Sequence, residues 1–420
     1  MAQGRSPELP PRQPVEIARA RAEILAAVHP LGSEEIAFSE ALGRVLAEDV
    51  VSDRWIPPND NSAMDGYALR AADAATPPVE LRVGFEVAAG HPSDHSLDAR
   101  EAARILTGAA IPAGADAVVM QEHVERRGER IRVLRAVKVG DHIRPAGADV
   151  RPGMRIAASG DCLGPPAIGM LAAIGRTRVR VTGSPRVAVL ATGDELVEPE
   201  ASVAGGRIVS SNSYSLIAAL RDCGARPDYR GIARDERGEI AELLRAALDC
   251  DAILTTGGVS VGDRDWVKSV LADLGGDLRL WRVRMKPGAP LAFAILGGKP
   301  VFALPGNPVS TLVSFEQFVR PALLRMMGHT RLFRPVEVAT LVGGYRKAGD
   351  RMHFVRVRLE REGGQLLARS TGDQSSGVLL SMLRADGLAI IPADAHELPA
   401  GARVPVMRLD RKDLCEAPGF

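Results

Sequence analysis

The stretch RVAVLATGDEL, Arg186 to Leu196, opens with an unbroken apolar run and closes on Thr192, Gly193, Asp194 and Glu195. A short apolar run bounded by turn residues predicts a strand buried on both faces, as in parallel sheets covered by helices on either side. The next segments alternate. Helical spacing over Ser211 to Asp222 leads to a strand near Asp228 to Ile232, a helix over Arg237 to Leu248 and the strand DAILTT ending at Thr256. A helix over Asp265 to Leu274 comes next, then strands around LWRVRM and PLAFAIL, the strand VFALP, and a long helix from Pro308 to Met327. Strands and helices in strict alternation predict a doubly wound, mostly parallel α/β domain.

Outward from this block the pattern changes on both sides. Between Val50 and Arg180 short apolar runs, Val79 to Val87, Ala117 to Met120 and Ile131 to Val137, are separated by Gly, Pro and Asp, which predicts a β-rich region. Two helices precede it, one over Pro14 to Val28 and a shorter one around Ser33 to Leu42, divided by Pro30-Leu31-Gly32. After Pro335 short strands return, at Val336 to Val342, Met352 to Leu359, Gln365 to Ala368, Leu388 to Ile391 and Ala402 to Arg408, predicting a small closing β domain.

With 420 residues the chain is long enough for about three cores at roughly 150 residues each. Lys plus Arg (53) balances Asp plus Glu (52), so net charge offers no general attraction to nucleic acid or an anionic membrane. Cys162, Cys223, Cys250 and Cys415 form no C-x-x-C pair, which argues against a disulfide framework or structural zinc and for a reducing, cytoplasmic setting. The polar, proline-rich start MAQGRSPELPPRQP has no apolar h-region, and no apolar run reaches the roughly 18 residues a membrane helix needs.

In open parallel sheets ligands bind beyond the carboxyl ends of the strands, so the loops there are where chemistry should collect. TGDEL supplies Glu195, ARDE supplies Asp235, and TTGGVSVGDRDW supplies Gly257, Gly258 and Gly262 ahead of Asp265. A glycine-rich turn at a helix start offers amides and a positive dipole end to a phosphate, and carboxylates beside it can hold a divalent cation. Taken singly, Asp235 and Asp265 serve equally well as helix N-caps. LPGNPVS compresses Pro305, Gly306, Asn307 and Pro308 into a strand-to-helix turn with free amides, and MKPGAP puts Lys286 beside another turn, where it could bind a compact oxyanion. NDNSAMDGYAL, with Asp60, and RILTGAAIPAGADAVVMQE, with Thr107, are polar enough to be plain turns.

Together, DNSAMDGYA (60 to 68), TGAAIPAGADAVVMQE (107 to 122), TGDEL (192 to 196), TGGVSVGDRD (256 to 265), KPGAP (286 to 290) and LPGNPVS (304 to 310) resemble the molybdopterin molybdenumtransferases. This family includes the bacterial molybdenum-insertion proteins and the E domain of gephyrin. The resemblance implies a multidomain α/β plus β architecture. A tail (1–12) and an N-terminal helix packing on the α/β domain (13–32) precede an elongated linker domain (33–52 and 154–182). A β-rich domain (53–153), the α/β molybdopterin-binding domain (183–331) and a C-terminal small β-barrel (332–420) complete it. The implied reaction is insertion of molybdate into adenylylated molybdopterin with release of AMP. Asp60, Thr107, Glu195 and Asp265 would be catalytic, and Glu195, Asp235 and Asp265 would hold Mg2+. Gly257, Gly258, Ser260, Gly262, Pro305 and Pro308 would shape the substrate pocket, and Lys286, Arg351 and Ser376 would bind molybdate.

The resemblance further implies a homodimer in which Asp60 and Thr107 complete the partner's site, with the molybdopterin adenylyltransferase and molybdoenzyme chaperones as further partners. The chain departs from the family's usual K-P-G-K-P at Ala289, which removes one positive charge from the anion site. Two other functions fit parts of the pattern: a molybdopterin adenylyltransferase acting one step earlier, and a non-catalytic, gephyrin-like dimeric scaffold.

Overall fold

The computed structural model describes residues 14–258 and 266–409. The chain forms two compact units, one made of Met1–Glu34 with Thr182–Phe420 and the other of Glu35–Val181. It is a multidomain α/β protein with a β-rich amino-terminal portion, a mixed α/β domain and a small carboxy-terminal barrel.

In the first unit, helix α1 (Ile17–Ala27) precedes strand β1 (Arg186–Thr192), helix α2 (Ser211–Asp222), β2 (Arg226–Ala233), helix α3 (Arg237–Ala246) and β3 (Ala252–Thr256). Helix α4 (Trp266–Asp273), β4 (Asp277–Trp281), β5 (Ala292–Leu296) and β6 (Lys299–Leu304) come after them. The sheet order is β2-β1-β3-β6-β5-β4, parallel from β2 to β6, with β5 and β4 antiparallel at one edge.

The apolar run of β1 divides by parity. Val187 and Val189 pack with Leu216 and Leu220 of α2, Ile24 of α1 and Phe302 on one face. Ala188 and Leu190 pack with Ile240 and Leu244 of α3 and Val270 of α4 on the other. Each such side chain, fully buried, contributes about 1.5–3 kcal/mol if it is as large as Val or Leu, which is why the central strands carry no interior charge.

From β1 the chain winds outward through α2 to β2, then back through α3 to β3 on β1's other side, so the winding reverses between β1 and β3. Their ladder ends at Ala191 opposite Thr256. Beyond it the Gly193 amide turns to Ala233 O (3.2 Å) and the Gly257 amide to Leu304 O (3.2 Å). The two strand ends part and open a crevice where such sheets bind ligands.

The predicted strand around LWRVRM is split. β4 stops at Trp281, Arg282 turns to a positive φ of 73°, and Met285–Lys286 leaves the sheet to pair in parallel with Met352–His353. The long helix after Pro308 is one rod interrupted by a single π turn, Phe315–Val319.

The carboxy-terminal barrel runs Met352–Glu362, Gln365–Ser370, Val336–Leu341, Arg403–Arg408 and Gly387–Ile391, and closes because the last strand pairs again with the first. Alternate side chains such as Val355, Val357, Ala368, Ala389 and Val404 fill it.

The second unit holds a six-stranded sheet with Gly66–Leu69 between Ala117–Met120 and Glu101–Ile105. A separate core of Ala41, Leu46, Val50, Leu163, Leu171 and Val179 draws on both ends of this unit's sequence. The helix expected around Ser33 to Leu42 is instead a strand, Ser33–Ala37, followed by one 3-10 turn, Phe38–Glu40. The acidic residues favour a helix locally, but Ile36 and the alternating burial fit a period of two, and tertiary pairing overrides propensity.

Candidate active site

A cleft of about 750 Å³ occupies the crevice at the carboxyl ends of β1, β2, β3 and β6. Its lining includes Thr192, Glu195, Asp235, Gly257, Gly258 and the turn from Pro305 to Pro308.

Each wall is fixed by its own local bonds. On the β1 side, Asp194 accepts the amide of Asp235 (3.1 Å), tying the loop after β1 to the loop after β2. Leu196 and Val197 pair with Ile208 and Val209 to carry the wall upward. Below them Tyr214 and Tyr229 donate to the two oxygens of Glu198 (2.8 and 2.7 Å), and burial together with that carboxylate pushes the Tyr229 phenol up. Opposite, Asn212 at the start of α2 donates to Thr256 Oγ1 (3.0 Å) and to Gly306 O (2.7 Å). Thr311 Oγ1 donates to Pro305 O (2.5 Å). The Pro305–Pro308 turn is thereby held open toward the cleft, with Pro308 in the first helical turn, where its missing N–H costs nothing.

Gly257 and Gly258 form the floor. Gly257 has φ +93°, and a Cβ there would sit 2.3 Å from Thr192 O, so no other residue fits without moving β1.

The sequence-derived candidates fall into four groups. Glu195, Asp235, Gly257, Gly258, Pro305 and Pro308 line the cleft together. Among the described residues the Glu195 carboxylate has no hydrogen-bond or ion-pair partner, and no cluster of three or more His, Cys, Asp or Glu is arranged as an all-protein metal cage. Ser260, Gly262 and Asp265 lie outside the described residues.

Lys286, Arg351 and Ser376 are not among the residues that line the cleft. The KPGAP turn reaches the lining through Pro290, and the loop of Ser376 reaches it through Gly377 while Ser376 O accepts the Val309 amide (3.1 Å). Lys286 and Arg351 share their neighbourhood with Lys347, whose ammonium is held by the carbonyls of Arg351 (2.8 Å) and Ala393 (2.7 Å). Burial, then the charges of Lys286, Lys347 and Arg351, push the His353 imidazole down to about 4, so it stays neutral among them.

Asp60 and Thr107 lie in the other unit. Asp60 Oδ1 accepts the Ala146 amide (2.7 Å), and Asp65 Oδ1 accepts both the amide and the hydroxyl of Thr107 (2.7 Å each). Those two hydrogen bonds hold the Asp65 carboxyl below the usual range.

Sequence reasoning passed over three residues. Asn212 falls unremarked inside the helix expected over Ser211 to Asp222, and Thr192 among the turn residues that close the first strand. Arg356 is 1% exposed, and its guanidinium donates to Ser375 O (2.9 Å), Asp373 O (3.2 Å) and Ser381 Oγ (3.1 Å), clasping the loop that carries Ser376. A lone arginine inside the apolar run HFVRV was the available signal.

Models of three protein regions match in order: the MoeA N-terminal region (domain I and II) over residues 15–175, a probable molybdopterin binding domain over 188–325, and the MoeA C-terminal region (domain IV) over 338–409. A Mycobacterium tuberculosis protein, molybdopterin molybdenumtransferase 2, is 37% identical over 404 residues, covering 94% of this chain and 98% of its own. A Nostoc molybdopterin molybdenumtransferase is 36% identical over 385 residues, covering 88% and 87%. The crystal structure of the molybdopterin biosynthesis moeA protein from Pyrococcus horikoshii OT3 superposes with a TM-score of 0.80 at 33% identity, covering 94% of this chain and 100% of that one.

Proposed function

The chain belongs to the MoeA family and is a molybdopterin molybdenumtransferase of molybdenum cofactor biosynthesis; from that premise we propose how the cleft carries the reaction. The substrates are molybdate and adenylylated molybdopterin, and the adenylyl phosphate lies at the β1–β3 crevice. The observation that carries this reading is that Glu195 and Asp235, from the loops after neighbouring strands, line one cleft together with Gly258 and the Pro305–Pro308 turn.

Two carboxylates fit Mg2+, which binds through one or two protein carboxylates plus phosphate oxygens and keeps several waters. Glu195, free of protein partners among the described residues, and Asp235 would hold it, joined by Asp265. When bound, the ion supplies neutralisation and polarisation of the phosphoanhydride.

The protein's own groups then orient the reaction. The amides of Gly258, Gly306 and Asn307 hold phosphate oxygens. Lys286, Arg351 and the loop of Ser376 hold molybdate at the other end of the cleft, beside the dithiolene. As molybdate is inserted, Mo–S bonds to the dithiolene form while Mo–O bonds break and the released oxygen takes up the thiol protons as water. A water oxygen attacks the adenylyl phosphorus, the anhydride P–O bond breaks, AMP leaves with the incoming oxygen, and the molybdopterin phosphate keeps the bridging oxygen with its electron pair. Asp60 and Thr107, supplied by a second copy in a homodimer, would complete the pocket, and the enzyme would work in the cytoplasm with the adenylyltransferase and molybdoenzyme chaperones as neighbours. No helix among the described residues is long and apolar enough to cross a membrane.

The test is direct. Purified protein with molybdate, adenylylated molybdopterin and Mg2+ should yield active cofactor and stoichiometric AMP, and chelating the cation should stop both. AMP release that persists at full rate without a divalent cation overturns the assignment.

A further inference from the structure

The Thr192 side chain is 2% exposed and belongs to the cleft lining, yet its hydroxyl is buried with no hydrogen-bond partner. A buried hydroxyl left unpaired costs about 1–3 kcal/mol, so folds seldom keep one without a use. Its place is specific. Thr192 is the last residue of β1, just past the end of the β1–β3 ladder, and its backbone pairs with Ala233 on the other side. Its Oγ1 therefore lies where the two strands part. The neighbouring strand ends in Gly257 and Gly258, and Cβ atoms added there would come within 3.1 and 2.8 Å of Oγ1. Two glycines thus keep that flank of the hydroxyl clear of side chains.

Thr255 of β3 also keeps a buried hydroxyl without a partner but does not line the cleft, whereas the threonines around the Pro305 turn are engaged. Thr256, one strand over, receives Asn212 and donates to Pro305 O (3.3 Å), and Thr311 donates to Pro305 O and Asn307 O. Thr192 is the one cleft-lining threonine whose hydroxyl has no protein partner among the described residues.

We propose that the Thr192 hydroxyl is a substrate-binding group that donates its proton in a hydrogen bond to an oxygen of the adenylyl phosphate at the β1–β3 crevice. It rests on the assignment of that crevice to the adenylyl phosphate. The chemistry suits the position: a hydroxyl donates to a phosphate oxygen without adding charge beside the Glu195 carboxylate. Removing it leaves the apolar packing of β1 intact.

Thr192→Val keeps the shape and deletes the hydroxyl, whereas Thr192→Ser keeps the hydroxyl. Binding of AMP and of adenosine, each with Mg2+, is measured by calorimetry on the full chain, with thermal unfolding followed in parallel. The expected result is that Thr192→Val binds AMP at least about ten-fold more weakly, binds adenosine as wild type does, and melts no lower than wild type without ligand. Thr192→Ser should hold AMP within about three-fold of wild type.

Undiminished AMP binding by Thr192→Val, with wild type binding normally, overturns the proposal and leaves the cleft reading intact. An equal loss for adenosine overturns the phosphate assignment. A valine variant that melts well below wild type shows the hydroxyl to be spent inside the fold, which also overturns it. Wild-type protein that binds neither AMP nor adenosine overturns the cleft reading itself, and this proposal with it.

Discussion

Toward the amino ends of β1 and β2, Arg186 donates to Asp228 (2.9 Å) and Asp249 (2.5 Å), and Arg230 donates to the same two carboxylates (2.9 and 2.7 Å). At the carboxyl ends of these strands the described residues leave the Glu195 carboxylate without an ion pair and the Thr192 hydroxyl without a hydrogen bond. Both ends belong to one sheet packed between the same two cores, so packing cannot explain the difference. Where charges serve the fold they are paired, with Arg230 Nε alone left over in that cluster. Where groups are held unpaired on a cleft, the partner they fit is a ligand, and the fold bears the cost.

The comparison breaks most sharply at Glu195. Glu195→Gln should lower turnover by about a hundred-fold or more, as removal of a group acting on transition-state charge commonly does, while leaving thermal unfolding unchanged; steady-state AMP release and calorimetry check both halves. The opposite end should behave in reverse. Arg230→Met should lower the unfolding midpoint by about 2–4 °C with kcat and KM for adenylylated molybdopterin unaltered.

That stability difference should also depend on pH in a set direction. Hydrogen bonds from Arg230, then Arg186, hold the Asp249 carboxyl at about 2, below its usual 3.8. A carboxyl depressed in the folded state contributes stability above its unfolded value and loses it as pH falls through the folded one. The gap between wild type and Arg230→Met should therefore be full above pH 3.8 and close as pH falls toward 2, measured by denaturant titration.

The smallest effect concerns the anion end. Ala289→Lys restores a positive charge beside Lys286 and should lower KM for molybdate by about two- to ten-fold, with a steeper salt dependence. An unchanged KM would mean that Lys286 and Arg351 already suffice.

Much of the fold and of the site is legible in the sequence. The doubly wound domain shows in RVAVLAT and DAILTT because strands buried on both faces leave uninterrupted apolar runs, and the helices around them are long enough to show their period. The site loops stand out because a parallel sheet gathers them at one edge. Ser33–Ala37 misleads because SEEIA carries good helix formers, while its state is set by distant pairing. Arg282 hides the end of β4 because a non-glycine residue at positive φ leaves no compositional mark. Thr192 stands within a recognisable motif, yet nothing in sequence distinguishes a hydroxyl that finds a partner from one that does not; that depends on two strands diverging at one residue.

The two-residue graft of Met285–Lys286 onto the barrel has a consequence for modularity. The segment is encoded within the α/β stretch but hydrogen-bonds as a barrel strand, so the two folding blocks are not interchangeable cassettes. A chimera that swaps the carboxy-terminal barrel for that of a relative must also match an edge encoded well upstream in the chain. A lineage that adjusts its barrel therefore adjusts, in the same step, the perch of Lys286, the residue proposed to bind molybdate.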